Sequence, residues 1–535
     1  MNTIEEKNNF INIENITILI SLIVIGIIIR FIVFPFDLPI YQDGEVYFWY
    51  ANDMSITGNF PESKEFSFPN NLWPIVLAGF FGLFSSNNFI DYMTLQRIVT
   101  IGLSVATTIP IFFLCRHFVE NKYAIIGSTL FLFEPRLIHS SMNGLTEPLF
   151  LLLGTISLVL FLNNRMIFIY SSFIVLALFV LTRYEGFVLL IPLSIMFIWR
   201  FRKKKKNLIH LLFCVTLFFI IVFSVDEIRH QSIDEPPKIV HHFENALIHY
   251  ESPKKIVDEV CDDVNDELCV EYQSSENLLF SVLSNAIINL IKYYGWLTIP
   301  LFFIFIPYGI YKIFSKRNFK KNTMIIYAAF MLLPAFYAFS RDFEDLRYFF
   351  FQIPFLCILG AMSIEFLGTK IKKQKLLISI IIPVIIFSSL LFFYDQMSID
   401  YDYEREYFEI SKKLNLEMKV INDIHPVDNY IRSAKISSLN EFPVLRDSFE
   451  LKSLEVIKIQ GFDSLEKLLE YGKENNLEYL IVDQDGDGVS YMEKIFNNEN
   501  SFPFLIKTYD SIDSGFKYHV KFFKIDYSLF DEYYG

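Results

Sequence analysis

Carboxylates and guanidinium groups gather at a few points of this chain, each where an apolar run begins or ends. After the first run comes YQDGEVYFWYANDMS, which sets Asp43 and Glu45 among Tyr41, Tyr47, Phe48, Trp49 and Tyr50. On a helix Glu45 and Trp49 share a face, and Asp43 lies beside Tyr47. LFEPRLIHSSMNGLTEPLF supplies Glu134, Arg136 and Glu147, with Pro135 and Pro148 breaking or starting helices. LTRYEGFVLL supplies Arg183 and Glu185, and SRDFEDLRYFF supplies Arg341, Asp342, Glu344, Asp345, Arg347 and Tyr348. Arg97 opens a further run. A carboxylate can act as general base towards an attacking hydroxyl. Arginines can neutralise a phosphate. The bland explanation for any one of these residues is a charge at a helix end, resting at headgroup level. It serves the set less well, because ionisable groups near membrane depth are costly and tend to mark a site.

The apolar runs that position these charges dominate the composition. Of 535 residues 53% are hydrophobic and 59 are Phe, and the mean hydropathy is +0.36. Runs such as ITILISLIVIGIIIRFIVF and KLLISIIIPVIIFSSLLFF match the roughly 30 Å of bilayer hydrocarbon. The first lacks a small-residue cleavage site and reads as a retained span. The expected fold class is a polytopic α-helical membrane protein of about eleven spans with a C-terminal soluble α/β domain. The spans fall near 15–34, 94–114, 122–139, 147–162, 167–182, 186–200, 207–225, 296–313, 323–339, 348–367 and 376–394. LWPIVLAGFFGLFSS at 72–86 is short and flanked by Trp73 and Pro74, so it is expected to lie in the interface, as is 283–294.

Lys and Arg in short loops set the orientation. RFRKKKK at 200–206, KIFSKRNFKK at 312–321 and KIKKQK at 370–375 share one side under this count, and the positive-inside rule makes that side cytoplasmic. The N-terminus is then cytoplasmic as well. Residues 1–394 form the membrane domain with external loops 35–93 and 226–295, and 395–535 form an extracytoplasmic soluble domain. In the tail, LEVIKI, SLEKLLEYGKENN and LEYLIVD read as strand, helix, strand, and PFLIKTYD and KYHVKFFKID read as later strands. Every acid and arginine singled out above then lies near the outer face.

That location narrows the chemistry. Nucleotide sugars are confined to the cytoplasm, so a transferase working outside needs a donor already carried across. A polyprenyl-phosphate sugar fits: its tail stays in the bilayer and its phosphate sits at headgroup depth. Arginines would neutralise the departing phosphate while a carboxylate takes the proton of an acceptor hydroxyl on protein, lipid or glycan. In-line displacement of this kind inverts the anomeric centre. Two other readings compete. A flippase of lipid-linked sugars calls for polar residues at mid-membrane and an internal repeat, and neither is seen. A non-catalytic scaffold leaves the convergence of acids and arginines unexplained.

The sequence resembles the membrane glycosyltransferases of the C-type fold, in particular the branch with the protein O-mannosyltransferases and the aminoarabinose transferases of lipid A. The resemblance covers most of residues 15–394 and rests on four patches: Asp43-Gly44-Glu45 after the first span, LQRIVT with Arg97, TEPLF with Glu147, and LRYFFFQIPFLCILGAM with Arg347 and Tyr348. It implies a lipid-phosphate sugar donor and a catalytic acid in the first external loop, here Asp43, with Glu45 beside it. Gly44 departs from the adjacent Asp-Glu pair of the O-mannosyltransferases. Arg97, Glu134, Arg136, Glu147, Arg183, Glu185, Arg347 and Tyr348 are the expected substrate-binding residues. The oligosaccharyltransferase branch carries Trp-Trp-Asp in its tail; Trp49, Trp73, Trp199 and Trp296 all precede the tail here, which disfavours block transfer of an oligosaccharide to Asn.

Several features stand outside this reading. The net charge of −13 argues against nucleic acid as a partner. Asp43 and Glu45 could hold a divalent cation or act without one. DQDGDGVSYMEK at 483–494 opens like a calcium loop but has Lys494 where the closing Glu belongs, and follows a strand, so it reads as a turn. Cys115, Cys214 and Cys357 belong to apolar runs and read as core, whereas Cys261 and Cys269 in an acidic loop could pair. The sugar and the acceptor depend on pocket shape, which no motif reports.

Overall fold

The structure, a computed structural model, describes residues 13–33, 36–40, 43–61, 71–86, 88–203, 206–233, 278–340, 345–397, 401–417, 434–438, 454–458, 462–484 and 489–534. Tyr41, Cys261, Cys269, Arg341, Asp342, Glu344, most of the loop expected at 226–295 and the middle of the calcium-like segment lie outside these residues. Two compact units form: Met1–Phe34, Phe66–Trp73 and Arg97–Met397 make one, and Pro35–Glu65, Pro74–Gln96 and Ser398–Gly535 make the other.

The first unit is a helical bundle. Among the described residues seven helical stretches are long and apolar enough to cross a membrane: Ile13–Ile32, Phe89–Arg116, Tyr184–Phe201, Asn207–Gln231, Phe319–Phe339, Leu346–Lys370 and Gln374–Tyr394. The protein is thus polytopic, and seven of the eleven expected spans have this length and character. Two more, Glu147–Phe161 and Met166–Thr182, are apolar helices of 15 and 17 residues. The remaining two are broken. The helix Asn121–Leu132 stops where Glu134 caps a second helix, Pro135–Met142. The Glu134 carboxylate accepts from the Leu137 amide at 2.9 Å, and Pro135 occupies the first turn, where its missing N–H costs nothing. Likewise, the span expected at 296–313 divides: Leu278–Thr298 ends just before Pro300, and Ile306–Phe314 resumes beyond it. The segment 283–294, expected as a separate interfacial piece, is the body of that 21-residue helix. The segment at 72–86 forms the ten-residue helix Leu72–Phe81, about 15 Å long and so half the hydrocarbon thickness.

Lipid is as apolar as a Leu side chain, so helices in a bilayer associate by close packing, and small residues let their backbones approach. Gly309 shows this best: a Cβ there would stand 2.6 Å from the Leu359 Cβ and 2.8 Å from its carbonyl oxygen. The stretch Leu346–Lys370 is accordingly the most enclosed of the seven long ones, buried continuously from Ile353 to Ile364. Cys115, Cys214 and Cys357 are buried free thiols, as their apolar surroundings implied.

The loops of this bundle sort into two ends. At one, Lys375 pairs with Glu14 at 2.9 Å, Lys122 reaches Gln374 at 2.7 Å, Lys321 donates to the Lys312 carbonyl at 2.7 Å, and Arg200 donates to the carbonyls of Phe161 and Asn163 at 2.7 and 2.6 Å. The Arg200 guanidinium lies 4.7 Å from the Phe319 ring, and Lys312 and Gln374 line one cavity, which brings the three basic loops to the same end. The other end carries the acids and arginines described below.

In the second unit the tail forms a five-stranded sheet. β1 (Ala434–Ser438), β2 (Leu454–Lys458), β3 (Tyr479–Asp483), β4 (Leu505–Asp510) and β5 (Val520–Ile525) stand in the order β2-β1-β3-β5-β4. The first three run parallel, and β5 is antiparallel to β3 and β4. Alternation along β3 gives the sheet two buried faces. Leu480 and Val482 join a core with Leu468, Met492, Phe504 and Phe530 from the helices behind. Tyr479 and Ile481 join Ile410 and Leu414 of the helix Asp402–Glu417 on the opposite face. Asp483, first residue of the calcium-like segment, accepts from the Tyr518 hydroxyl at 3.0 Å. Burial, and then the Asp483 carboxylate, push the Tyr518 phenol far above its usual range. The same unit holds the segment after the first span: Arg405 pairs with Asp37 at 3.0 Å, and Phe408 meets Phe89 edge-on at 6.3 Å.

Candidate functional site

Asp43 is the first residue of the helix Asp43–Thr57 and is exposed. One turn of backbone separates it in character from Glu45, which is only 3% exposed. Glu45 accepts from the Trp49 indole at 3.3 Å, so these two share a face as their spacing implied. Phe48 and Tyr50 are buried beside them, and Gln96 donates to the Gly44 carbonyl at 2.9 Å. The glycine between the acids thus accepts a bond that fixes this turn. The two carboxylates are not equivalent: Asp43 meets solvent and Glu45 is built into the packing.

In the helical bundle Glu134, beyond capping its helix, pairs with Arg136 at 2.7 Å. Arg136 also donates to the carbonyls of Trp296 and Ile299 at 2.7 and 2.9 Å. Those carbonyls sit at the helix end broken by Pro300, where the Trp296 carbonyl also accepts the Ile299 amide at 3.1 Å. Arg136 therefore ties two broken helices together, and its guanidinium lies 5.3 Å from the Phe392 ring.

Glu147, Arg183, Glu185, Arg347 and Tyr348 form one network, although they are up to two hundred residues apart in sequence. Arg183 pairs with Glu147 at 2.7 Å and Glu185 at 2.8 Å. Arg347 comes within 3.8 Å of the same Glu147 oxygen and pairs with Asp345, which caps its 3-10 turn. The Arg183 guanidinium lies 5.8 Å from the Phe150 ring and 5.9 Å from the Tyr348 ring, within cation–π range of both. Glu147 is 3% exposed, and its Oε2 has no hydrogen-bond partner among the described residues. Arg347, by contrast, keeps 34% of its side chain exposed. The network thus grades from a buried carboxylate to a reachable arginine. Its two guanidinium groups face three carboxylates, so an anion entering the network competes with Asp345 for the partly exposed Arg347.

Arg97 is buried and donates to the Met142 carbonyl at 3.1 Å, while Thr100 one turn on donates to the Ser141 carbonyl at 2.7 Å. Trp73 donates to the Gly144 carbonyl at 3.1 Å. Gly144 has φ +68°, a left-handed conformation that glycine adopts at no steric cost. These bonds hold the 140–146 turn that delivers Glu147. Arg97 anchors this turn with its Nε.

Four buried charges escaped the sequence reading: Arg30, Asp53, Asp226 and Arg229. Arg30, inside the first apolar run, donates to the Leu132 carbonyl at 3.2 Å, Ser104 at 3.3 Å and Ser141 at 3.2 Å. Arg229 donates to Asn71 at 2.9 Å, and Asp226 is buried one turn before it. Arginine within an apolar run was the available signal for Arg30. For Asp226 and Arg229 the helix Asn207–Ile233 continues past the apolar stretch that marked its span, so they read as loop. Among the described residues no group of three His, Cys, Asp or Glu side chains could hold a metal ion.

No protein-family model and no curated protein matches the chain. Solved structures do. ArnT from Cupriavidus metallidurans, bound to undecaprenyl phosphate, superposes with a TM-score of 0.62 at 8% identity, covering 94% of this chain and 97% of that one. The Archaeoglobus fulgidus oligosaccharyltransferase in its apo form matches with a TM-score of 0.58 at 12% identity, over 90% of this chain and 71% of that one. The Archaeoglobus fulgidus oligosaccharyltransferase AglB, complexed with an inhibitory peptide and a dolichol-phosphate, gives 0.55 at 13% identity, over 92% and 72%. At such identities the likeness shows a shared fold, and it is the fold that the four sequence patches implied.

Proposed function

We propose that the chain is a glycosyltransferase that moves a sugar from a polyprenyl-phosphate donor to an acceptor on the extracytoplasmic face, with inversion. The observation that carries this reading is the nearly end-to-end likeness to ArnT, a protein solved with undecaprenyl phosphate bound. The oligosaccharyltransferase is matched over only about seven-tenths of its length, which agrees with the missing Trp-Trp-Asp in favouring a single sugar over a block.

Each residue group takes one part of the reaction. Asp43 is the general base: it accepts the proton of the acceptor hydroxyl as that oxygen attacks the anomeric carbon. The bond from that carbon to the phosphate oxygen breaks, and polyprenyl phosphate leaves as the anion. Arg347 and Arg183 meet its charge, with Tyr348 beside them. Glu147 and Glu185 hold Arg183 in place, and Glu45 holds the helix start from which Asp43 projects. Glu134 with Arg136, and Arg97 in turn, position the helix ends around the network. Incubating the purified protein with a radiolabelled polyprenyl-phosphate hexose and membrane extract moves the label to protein, lipid or glycan. Label that crosses vesicles without leaving its lipid carrier refutes the transferase and establishes a flippase.

The seven long spans, the two short apolar helices and the two broken ones make eleven crossings. An odd number puts the N-terminus and the tail on opposite sides, and the basic loops assign the cytoplasm to the N-terminal side. The fold supports this by gathering those loops at one end of the bundle. With single cysteines introduced, an impermeant thiol reagent added to intact cells labels Lys517→Cys and spares Lys203→Cys; the reverse pattern inverts the topology.

A further inference from the structure

At the basic end of the bundle, away from the acid and arginine network, a cavity of about 180 Å³ opens where four helices end. Charges of both signs line it: Lys122 and Lys312 on one hand, Glu120 and Glu365 on the other, with Tyr123 and Thr369 between them. Part of this set is internally matched. Lys122 pairs with Glu120 at 2.8 Å and donates to Gln374 at 2.7 Å, and Glu365 Oε1 accepts the Glu120 amide at 3.0 Å. The rest is not. Among the described residues the Lys312 ammonium and the second oxygen of Glu365 make no hydrogen bond, and neither residue has an undescribed partner. Tyr123 is 2% exposed, and its hydroxyl is buried without a hydrogen-bond partner. A buried polar group left so costs on the order of 1–3 kcal/mol unless a ligand satisfies it.

We infer that this cavity binds a zwitterionic phosphate–ammonium group, as in an ethanolamine phospholipid headgroup. Lys312 faces the phosphate, and Glu365 accepts from the ammonium. A purely anionic group would meet two carboxylates, and a purely cationic one two lysines. The surroundings indicate that the group arrives on a lipid. Leu367, Ile371 and Leu376, each next or close in sequence to the lining residues Phe366, Thr369 and Gln374, have 43, 42 and 53% of their surface exposed. Acyl chains can lie along these side chains while the headgroup enters between the helix ends. The site is independent of the transfer reaction proposed above.

Native mass spectrometry of the full-length protein in detergent tests this, with phosphatidylethanolamine, phosphatidylglycerol and free phosphoethanolamine as probes. Phosphatidylethanolamine is expected to bind roughly tenfold more tightly than phosphatidylglycerol, and Lys312→Ala and Glu365→Gln each to weaken it roughly tenfold. Lys312→Arg should keep most of the affinity. Free phosphoethanolamine binding as tightly as the lipid identifies a soluble ligand of the same chemistry; weaker binding assigns the site to the lipid. Equal binding of both lipids overturns the inference. So does phosphatidylethanolamine binding that is unchanged in Lys312→Ala and Glu365→Gln proteins of normal melting temperature.

Discussion

Asp43→Asn is expected to lower the rate of sugar transfer by about 10²–10⁴-fold, the usual contribution of a positioned general base, while the protein stays folded and in the membrane. Asparagine keeps the size and the hydrogen-bonding oxygen of the side chain but cannot take up a proton. The structural cost is small, since Asp43 is exposed at the first position of its helix. The favourable placement of a negative charge at a helix N-terminus is lost, about 0.3–1 kcal/mol. Glu45→Gln is the matching control. Its side chain is buried against Trp49, and a Gln carbonyl oxygen can accept the same bond, so transfer should fall less than tenfold. Initial rates at saturating donor, with detergent melting curves for both variants, separate the two acids. Full activity in Asp43→Asn removes the catalytic assignment, and a collapse in Glu45→Gln alone would move the base to Glu45.

The order of polar patches along the chain was legible because each sits at the end of an apolar run, and hydropathy reads such runs well. Their grouping in space was not. Glu147, Arg183 and Arg347 meet only through the packing of Glu147–Phe161 against Met166–Thr182, where Phe150 stacks on Phe179 at 4.0 Å and meets Phe351 at 4.1 Å. Those aromatic contacts have no periodic signature in a sequence this rich in Phe. The broken spans misled for a related reason. The run 122–139 is apolar on either side of Glu134-Pro135, and hydropathy averages across the break, whereas Glu134 is extended and caps a new helix that Pro135 begins. The strands with alternating or β-branched residues, β2 to β5, were readable. β1, AKISS, was not, because it has one large apolar residue in five. What LQRIVT did not report is the partner of Arg97: its Nε donates to the Met142 carbonyl, forty-five residues on.

Arg183→Gln should harm both stability and transfer, and a second substitution can separate the two effects. Arg183 compensates Glu147, a carboxylate that is 3% exposed and whose Oε2 has no hydrogen-bond partner among the described residues. Without Arg183 the nearest remaining cation is Arg347 at 3.8 Å, itself paired with Asp345. Removing one partner of a buried pair costs about 3–5 kcal/mol, mostly because the other charge stays behind uncompensated. The Arg183 side chain is 15% exposed, which puts the expected loss at the lower end of that range. Adding Glu147→Gln removes the stranded charge, so the double variant should regain most of the melting temperature. Transfer should not return with it. If Arg183 meets the negative charge that develops on the leaving phosphate, its loss weakens an interaction made most strongly in the transition state, so kcat falls while KM for the donor changes little. Recovery of both stability and transfer in the double variant would make Arg183 a structural residue and leave Arg347 to meet the phosphate alone. Unchanged stability in Arg183→Gln would mean that Glu147 does not depend on this pair. The useful reading is therefore the difference between the two recoveries.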